Sequence, residues 1–387
     1  MILPASGHFS KRSDWDRSAN PLSQLIALKK ASNEGILDLT ESNPTRCGFS
    51  FYSEFTPLTD PTNQLYEPAP RGLLLARQAV CDYYASKGVP ISPEQVFLTS
   101  STSEAYHFLF RLLTNPREAI ACAEPSYPLL GTLCELNDVV LKKYTLSPDK
   151  HWRLDLSTLR EKVRALLVVN PNNPTGNYIS AFERKELNKV THTHGAALIS
   201  DEVFLDFVRE EHAGPATFAS NDPVLTFTVS GISKILALPQ MKLSWIVVSG
   251  PENLRKEALE RLEIIADASL SVSTPIQRAL PSWLSLRDIV RDEILTRVKT
   301  NADVLKKTAA KNGIGEVSEA QGGWYAVLKL SGARTDEETA LKWLEKKNVL
   351  VHPGYFFDFA DESRMVFSLL PQERIFNEAM ERLSGGL

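Results

Sequence analysis

The chain of 387 residues has only four cysteines, Cys47, Cys81, Cys122 and Cys134, with no CxxC pair among them and no histidine at metal-ligand spacing. This excludes a disulfide framework and the usual zinc sites, leaving reduced and mostly buried thiols. His192 and His194 lie two apart, on opposite sides of a helix, so they flank a helix end rather than share a metal. An excess of one charge is also missing. With 43 Lys and Arg against 47 Asp and Glu, the net charge of -4 gives no basic field to attract nucleic acid. No run approaches the ~18 apolar residues of a membrane span. The opening MILPASGHFSKRSDWD lacks the apolar core of a secretory signal. These absences lead to the expectation of a cytoplasmic protein that acts on a small molecule, without membrane or nucleic-acid partners.

The length exceeds what one hydrophobic core usually serves, so two packed units are expected. From about Leu65 to Val248, short apolar runs alternate with helical patterns, as in a mostly parallel sheet covered by helices. Buried strands are expected at Gln95–Thr99, Ala119–Cys122, Ala165–Val169, Ala197–Ser200 and Trp245–Val248, with ligand-binding loops at their C-terminal ends. Helices are expected over Arg71–Tyr84 and Ser103–Leu113, the second opening through Ser100, Ser101 and Thr102 with free backbone donors suited to an anion. After about Ser249 the pattern predicts helices over Glu252–Asp267 and Gln277–Asn312, then strands near Gly323–Leu330 and Met365–Leu369. The expected division is a large domain over 48–270, with a small α+β domain built from 1–47 and 271–387.

Three segments carry chemistry. Asn170-Pro171-Asn172-Asn173-Pro174-Thr175-Gly176 follows the run ALLVV, and its prolines and glycine fix a tight turn from which an Asn can enter the crevice. An ordinary Asn-Pro turn has the same residues. Asp201, at the end of the run AALIS, suits a cationic ligand nitrogen in a low-dielectric site, though a helix-capping Asp reads the same way. Lys234 in Ser230-Gly231-Ile232-Ser233-Lys234 sits among small and apolar residues, a setting that lowers an amine pKa and favours Schiff-base formation. A snorkelling surface lysine is the plainer alternative.

In this order, NPNNPTG, SDEVF and SGISK with a further base at Lys242 resemble the class I/II aminotransferases of fold type I, which use pyridoxal phosphate. Tyr66-Glu67-Pro68-Ala69-Pro70-Arg71-Gly72, Thr99 to Ala105, Glu124-Pro125-Ser126-Tyr127-Pro128 and Arg364 extend the likeness over nearly the whole chain. The resemblance implies an α/β fold with a mostly parallel seven-stranded sheet between helices, a small α+β domain, and a homodimer. It implies transfer of an amino group from an amino acid to a 2-oxo acid by a ping-pong Schiff-base mechanism. Lys234 is then the Schiff-base lysine and proton carrier, Asp201 the partner of the pyridine nitrogen, and Asn173 a donor to the cofactor's phenolic oxygen. Tyr127 stacks on the ring; Ser100, Ser101, Thr102, Ser233 and Lys242 serve the phosphate end, which Tyr66 reaches from a second subunit. Arg364 clamps the substrate α-carboxylate, with Asn43, Asn173 and Trp324 beside the substrate. Tyr127 also reads as a core aromatic and Arg364 as half of a structural ion pair.

The chain departs from this pattern in several places. Phe204 stands where the family usually has a tyrosine that binds the phenolate, which favours the protonated Schiff base. Gly231 replaces the common phosphate-binding serine, and Lys242 replaces an arginine, giving a point charge in place of a fork. The segment Ala266 to Pro275 lacks the arginine that binds a distal carboxylate in dicarboxylate-specific members. Phe204, Trp324 and Tyr325 suit an apolar or aromatic substrate side chain instead. Two alternatives stay open: a lyase on the same cofactor, and a cofactor-binding protein without turnover.

Overall fold

In this computed structural model the described residues are 10–13, 15–16, 18–49, 56–59, 61–64, 68–148, 151–209, 217–332 and 335–384. Eight strands form the main sheet, in the order Val96–Thr99, Ser244–Ser249, Thr226–Gly231, Ala197–Asp201, Ala165–Val169, Ala119–Glu124, Val140–Ser147 and Arg153–Asp155. Six run in one direction; Ser244–Ser249 and Arg153–Asp155 are reversed. The central strands are buried along their whole length, because helices such as Thr102–Leu113 and Ala181–His194 cover both faces. Each fully buried Val, Leu or Ile contributes roughly 1.5–3 kcal/mol.

The sheet therefore has one strand more than expected. The extra strand, Arg153–Asp155, is a short hairpin return with a half-polar sequence that shows no apolar run. Thr226–Gly231 was also not among the expected strands. It alternates hydroxyl and apolar residues, yet every one of them is buried, since Thr226 Oγ1 donates to the Val224 carbonyl and Ser230 Oγ to that of Glu202. The expected helix over Gln277–Asn312 is two helices, Thr274–Leu284 and Arg287–Asn312. Trp283 and Leu284 turn into the apolar cluster beneath Leu74–Ala85, and the chain changes direction there through the Leu286 N–H to Trp283 carbonyl bond of 3.0 Å.

A second, antiparallel sheet runs Gly315–Val317, Tyr325–Leu330, Arg364–Ser368 and His352–Pro353. Leu37–Asp38 pairs in parallel with Val349–Leu350, and one apolar cluster joins Leu22, Leu39 and Phe49 to Val298, Trp343 and Phe376. All four cysteines are free and buried; burial raises Cys47, Cys122 and Cys134 to about 12 and Cys81 to about 11. Among the described residues no helix is long and apolar enough to cross a membrane, and no cluster of metal-ligating side chains is present.

Candidate active site

The C-terminal ends of the co-directional strands meet at one edge of the main sheet. Thr99 leads into Ser100–Thr102, Glu124 into Pro125–Tyr127, Val169 into Asn170–Gly176, Asp201 ends its strand, and Gly231 leads into Lys234. The fold thus collects segments separated by up to about 130 residues.

Asp201 is buried and held from two sides. The Tyr106 hydroxyl donates to its Oδ2 at 2.6 Å and the Val203 N–H to its Oδ1 at 3.1 Å. Burial pushes the carboxyl up from its ordinary range, while Tyr106, Val203 and the positive charge of Lys234 work in the other direction. Lys234 Nζ lies 4.9 Å from the ring centre of Trp324 and 5.6 Å from that of Phe204. Burial brings this amine down to about 8, partly offset by Asp201, so a neutral fraction of about a tenth exists at pH 7 and grows as pH rises. Phe204 and Trp324 pack edge to face at 5.1 Å, and Tyr325 closes the wall at 6.2 Å from Phe204.

The Asn170–Gly176 turn is braced throughout. Asn170 Oδ1 accepts from the Ile179 N–H at 3.0 Å, and Asn172 Nδ2 donates to the Pro125 carbonyl at 3.1 Å and to Thr175 Oγ1 at 2.8 Å. Gly176 has φ +74°, and a Cβ there would lie 2.5 Å from the Gly322 carbonyl oxygen, so only glycine lets this turn approach the strand that brings in Trp324. Asn173 is buried and its Oδ1 has no hydrogen-bond partner among the described residues. Tyr127, packed against the main-sheet core, is raised to about 12 by burial and by Asp201 and Tyr325. Ser101 caps Thr102–Leu113, its hydroxyl accepting from the Glu104 N–H at 3.1 Å, while Glu104 Oε2 takes the Ser100 N–H at 2.6 Å.

Other expected residues are placed differently. Arg364 is buried, and its guanidinium grips Asp361 at 2.8–3.0 Å and lies 5.1 Å from the Trp152 ring centre. Its backbone is opposite Lys329, whereas Ser368 is opposite Tyr325, so Arg364 stands four residues along the strand from the aromatic wall. Asn43 caps the short turn Pro44–Arg46, accepting from the Thr45 N–H at 3.1 Å. Lys242 is exposed, in a left-handed conformation at φ 52°. Ser233 is half-buried, one residue before Lys234. Tyr66 lies outside the described residues.

Two contributors escaped sequence reasoning. Tyr106 lies one turn into the helix after Ser101, where its apolar neighbours disguise its hydroxyl as core. Glu202 is fully buried beside Asp201, raised by burial to about 7, and tied to Thr217 Oγ1 at 2.5 Å, the Phe218 N–H at 2.7 Å and Ser200 Oγ at 3.0 Å. Adjacent acidic residues at a strand end were the available signal.

Residues 56–383 match the family described as aminotransferase class I and II. The chain belongs to this family. Tyrosine aminotransferase of Mus musculus is 30% identical over 327 residues, which cover 81% of this chain and 71% of that protein. S-alkyl-thiohydroximate lyase SUR1 of Arabidopsis thaliana is 28% identical over 334 residues, with the same coverages of 81% and 71%. An alanine aminotransferase from Pyrococcus furiosus has the same fold, with a TM-score of 0.87 at 23% identity over 97% of this chain and 98% of that one. The protein is therefore a fold-type-I aminotransferase dependent on pyridoxal phosphate. Its residues fit that cofactor. The buried side-chain amide of Asn173, a donor through Nδ2, the buried carboxylate of Asp201 in need of a cation, and the amino end of Thr102–Leu113 match its phenolic oxygen, ring nitrogen and phosphate in kind.

Proposed function

We propose that this aminotransferase moves the amino group of an L-amino acid with an apolar or aromatic side chain to a 2-oxo acid, with Lys234 as the covalent anchor and proton carrier. The observation that carries this reading is the Lys234 amine, brought down to about 8 between Trp324 and Phe204 and paired electrostatically with Asp201. When bound, pyridoxal phosphate supplies the carbonyl carbon that receives the amino group and a ring that accepts the electron pair left on the substrate's α carbon. Asp201 holds a positive charge at the ring nitrogen, and Tyr106 fixes the carboxylate in place. Asn173 donates to the phenolic oxygen and Tyr127 covers one ring face. The Lys234 amine would serve as the base that takes the proton from the substrate's α carbon and holds it for return. Arg364 takes the substrate's carboxylate, exchanging it for Asp361.

The aromatic wall of Phe204, Trp324 and Tyr325 supports the apolar preference, as does the absence of arginine in 266–275. The two separate sheets support a division into a large unit over 48–270 and a small one from 1–47 with 271–387, with Thr274–Leu284 packed against Leu74–Ala85 of the large unit. Exposed Ile264 and Leu270, beside the Ser271 Oγ contact with the Ala69 N–H at 2.8 Å, support a homodimer burying that edge. The free cysteines favour a reducing compartment, the cytoplasm.

The test is steady-state kinetics with phenylalanine, leucine, alanine and aspartate as donors. Higher kcat/KM for phenylalanine or leucine than for aspartate is expected. A strong preference for aspartate overturns the substrate class, and an oxo acid released from a thioether or β-substituted donor without an acceptor favours the lyase reading.

A further inference from the structure

Gly231 is the one residue of the lysine segment whose glycine has no conformational reason. Its φ of 176° is extended backbone that any residue adopts. Space explains it: a Cβ on Gly231 would lie 2.2 Å from Ser244 Oγ and 2.8 Å from Ser244 Cβ. The hydroxyl of Ser244 already fills the volume that a side chain at 231 would enter. The two positions are cross-strand partners, and Ser244 is also opposite Thr99, the residue before Ser100–Thr102. Ser244 therefore stands between the two chain segments that bracket the anion end of the site, one leading to Lys234 and the other to the helix Thr102–Leu113.

Ser244 is only 2% exposed, and its hydroxyl has no hydrogen-bond partner among the described residues. The hydroxyl is not sealed in the core and keeps the little accessible surface that the residue has, so it is free to meet a ligand acceptor. In the neighbouring loop the Ser100 N–H is committed to Glu104, while the Ser101 hydroxyl oxygen accepts the Glu104 N–H at the helix cap.

We propose that Ser244 is a phosphate-anchoring residue of the cofactor site, and that its hydroxyl replaces, from the adjacent strand, the one that position 231 lacks. The inference rests on the cofactor reading above and concerns binding of a phosphate monoester, with no step in the transamination assigned to Ser244. Gly231 and Ser244 then form a matched pair: serine at either position requires glycine at the other.

Titration of the apoprotein with pyridoxal phosphate and, separately, with unphosphorylated pyridoxal tests this through lysine-bound absorbance. For Ser244→Ala the dissociation constant for pyridoxal phosphate is expected to rise about tenfold, the scale of one hydrogen bond to a charged group, with that for pyridoxal unchanged. The exchanged variant, Gly231→Ser with Ser244→Gly, should recover most of the affinity, while Gly231→Ser alone should unfold at lower urea. Equal losses for both ligands, or no loss for either, overturn the anchoring role, and failure of the exchanged variant to recover affinity overturns the pairing. If the unaltered protein takes up neither ligand covalently, the cofactor reading itself fails, a result distinct from either.

Discussion

The Tyr106 hydroxyl donates to Asp201 Oδ2 at 2.6 Å, joining the first helix of the anion end to the carboxylate at the centre of the site. Both groups are buried, and this bond favours the charged form of Asp201 against the cost of burial, which pushes the carboxyl up. Tyr106→Phe removes that support and moves the Asp201 carboxyl further up. The expected result is a fall in kcat of about tenfold, in line with losing one hydrogen bond to a charged group, and a shift of the acid limb of the pH profile to higher pH. An unchanged profile with reduced thermal stability assigns Tyr106 a packing role alone.

Lys234 sets a second pH dependence. Its amine is brought down from 10.5 to about 8, so it is mostly charged at pH 7 and mostly neutral at pH 9. Covalent capture of pyridoxal phosphate by the apoprotein should accelerate by about tenfold over that interval, following the neutral fraction. Because the unfolded chain binds the proton more tightly, the same group makes the apoprotein more stable as pH rises from about 8 toward 10.5. Lys234→Ala should abolish capture and this contribution to stability together, measured by stopped-flow absorbance and urea unfolding.

The fork of Arg364 is occupied by Asp361, a carboxylate of the kind that a substrate presents. Asp361→Asn should release the guanidinium and lower KM for the amino donor several-fold, with kcat little changed. Arg364→Lys, which keeps the charge and loses the fork, should raise KM by about tenfold or more. Unchanged KM in both variants removes Arg364 from the substrate site.

Gly176 couples the Asn170–Gly176 turn to the strand of the aromatic wall. Gly176→Ala places a methyl 2.5 Å from the Gly322 carbonyl at a positive φ, and should cost about 1–3 kcal/mol in urea unfolding. Gly131→Ala, in a helix with nothing within 4 Å of the new methyl, should be neutral or stabilising by about 0.5–1 kcal/mol.

Much of this arrangement was legible in the sequence. The strands Ala165–Val169 and Ala197–Asp201 are largely apolar runs, followed by Asn170 and ended by Asp201, and they lie side by side, with the Asn170 N–H donating to the Asp201 carbonyl at 2.7 Å. Thr226–Gly231 was hidden because its alternating hydroxyls look solvent-facing, while cross-strand and local carbonyls satisfy two of them inside the core. Tyr106 and Ser244 were hidden for a related reason. The importance of each depends on what lies opposite, across a helix–sheet contact or a strand register, and pairings between distant segments carry no local signal. Arg364 was visible as a residue but its partner was not, since Asp361 is one of many acidic residues in the region.

The central claim is most directly tested by a single half-reaction. The holoenzyme is mixed with phenylalanine in the absence of any oxo acid, and the visible spectrum and products are followed, with Lys234→Ala as control. Stoichiometric conversion of the lysine-bound cofactor to pyridoxamine phosphate, with one equivalent of oxo acid released, and neither event in the control, is the predicted result. Persistence of the original band across apolar, aromatic and acidic donors, or continuous oxo-acid release while the band regenerates, contradicts it.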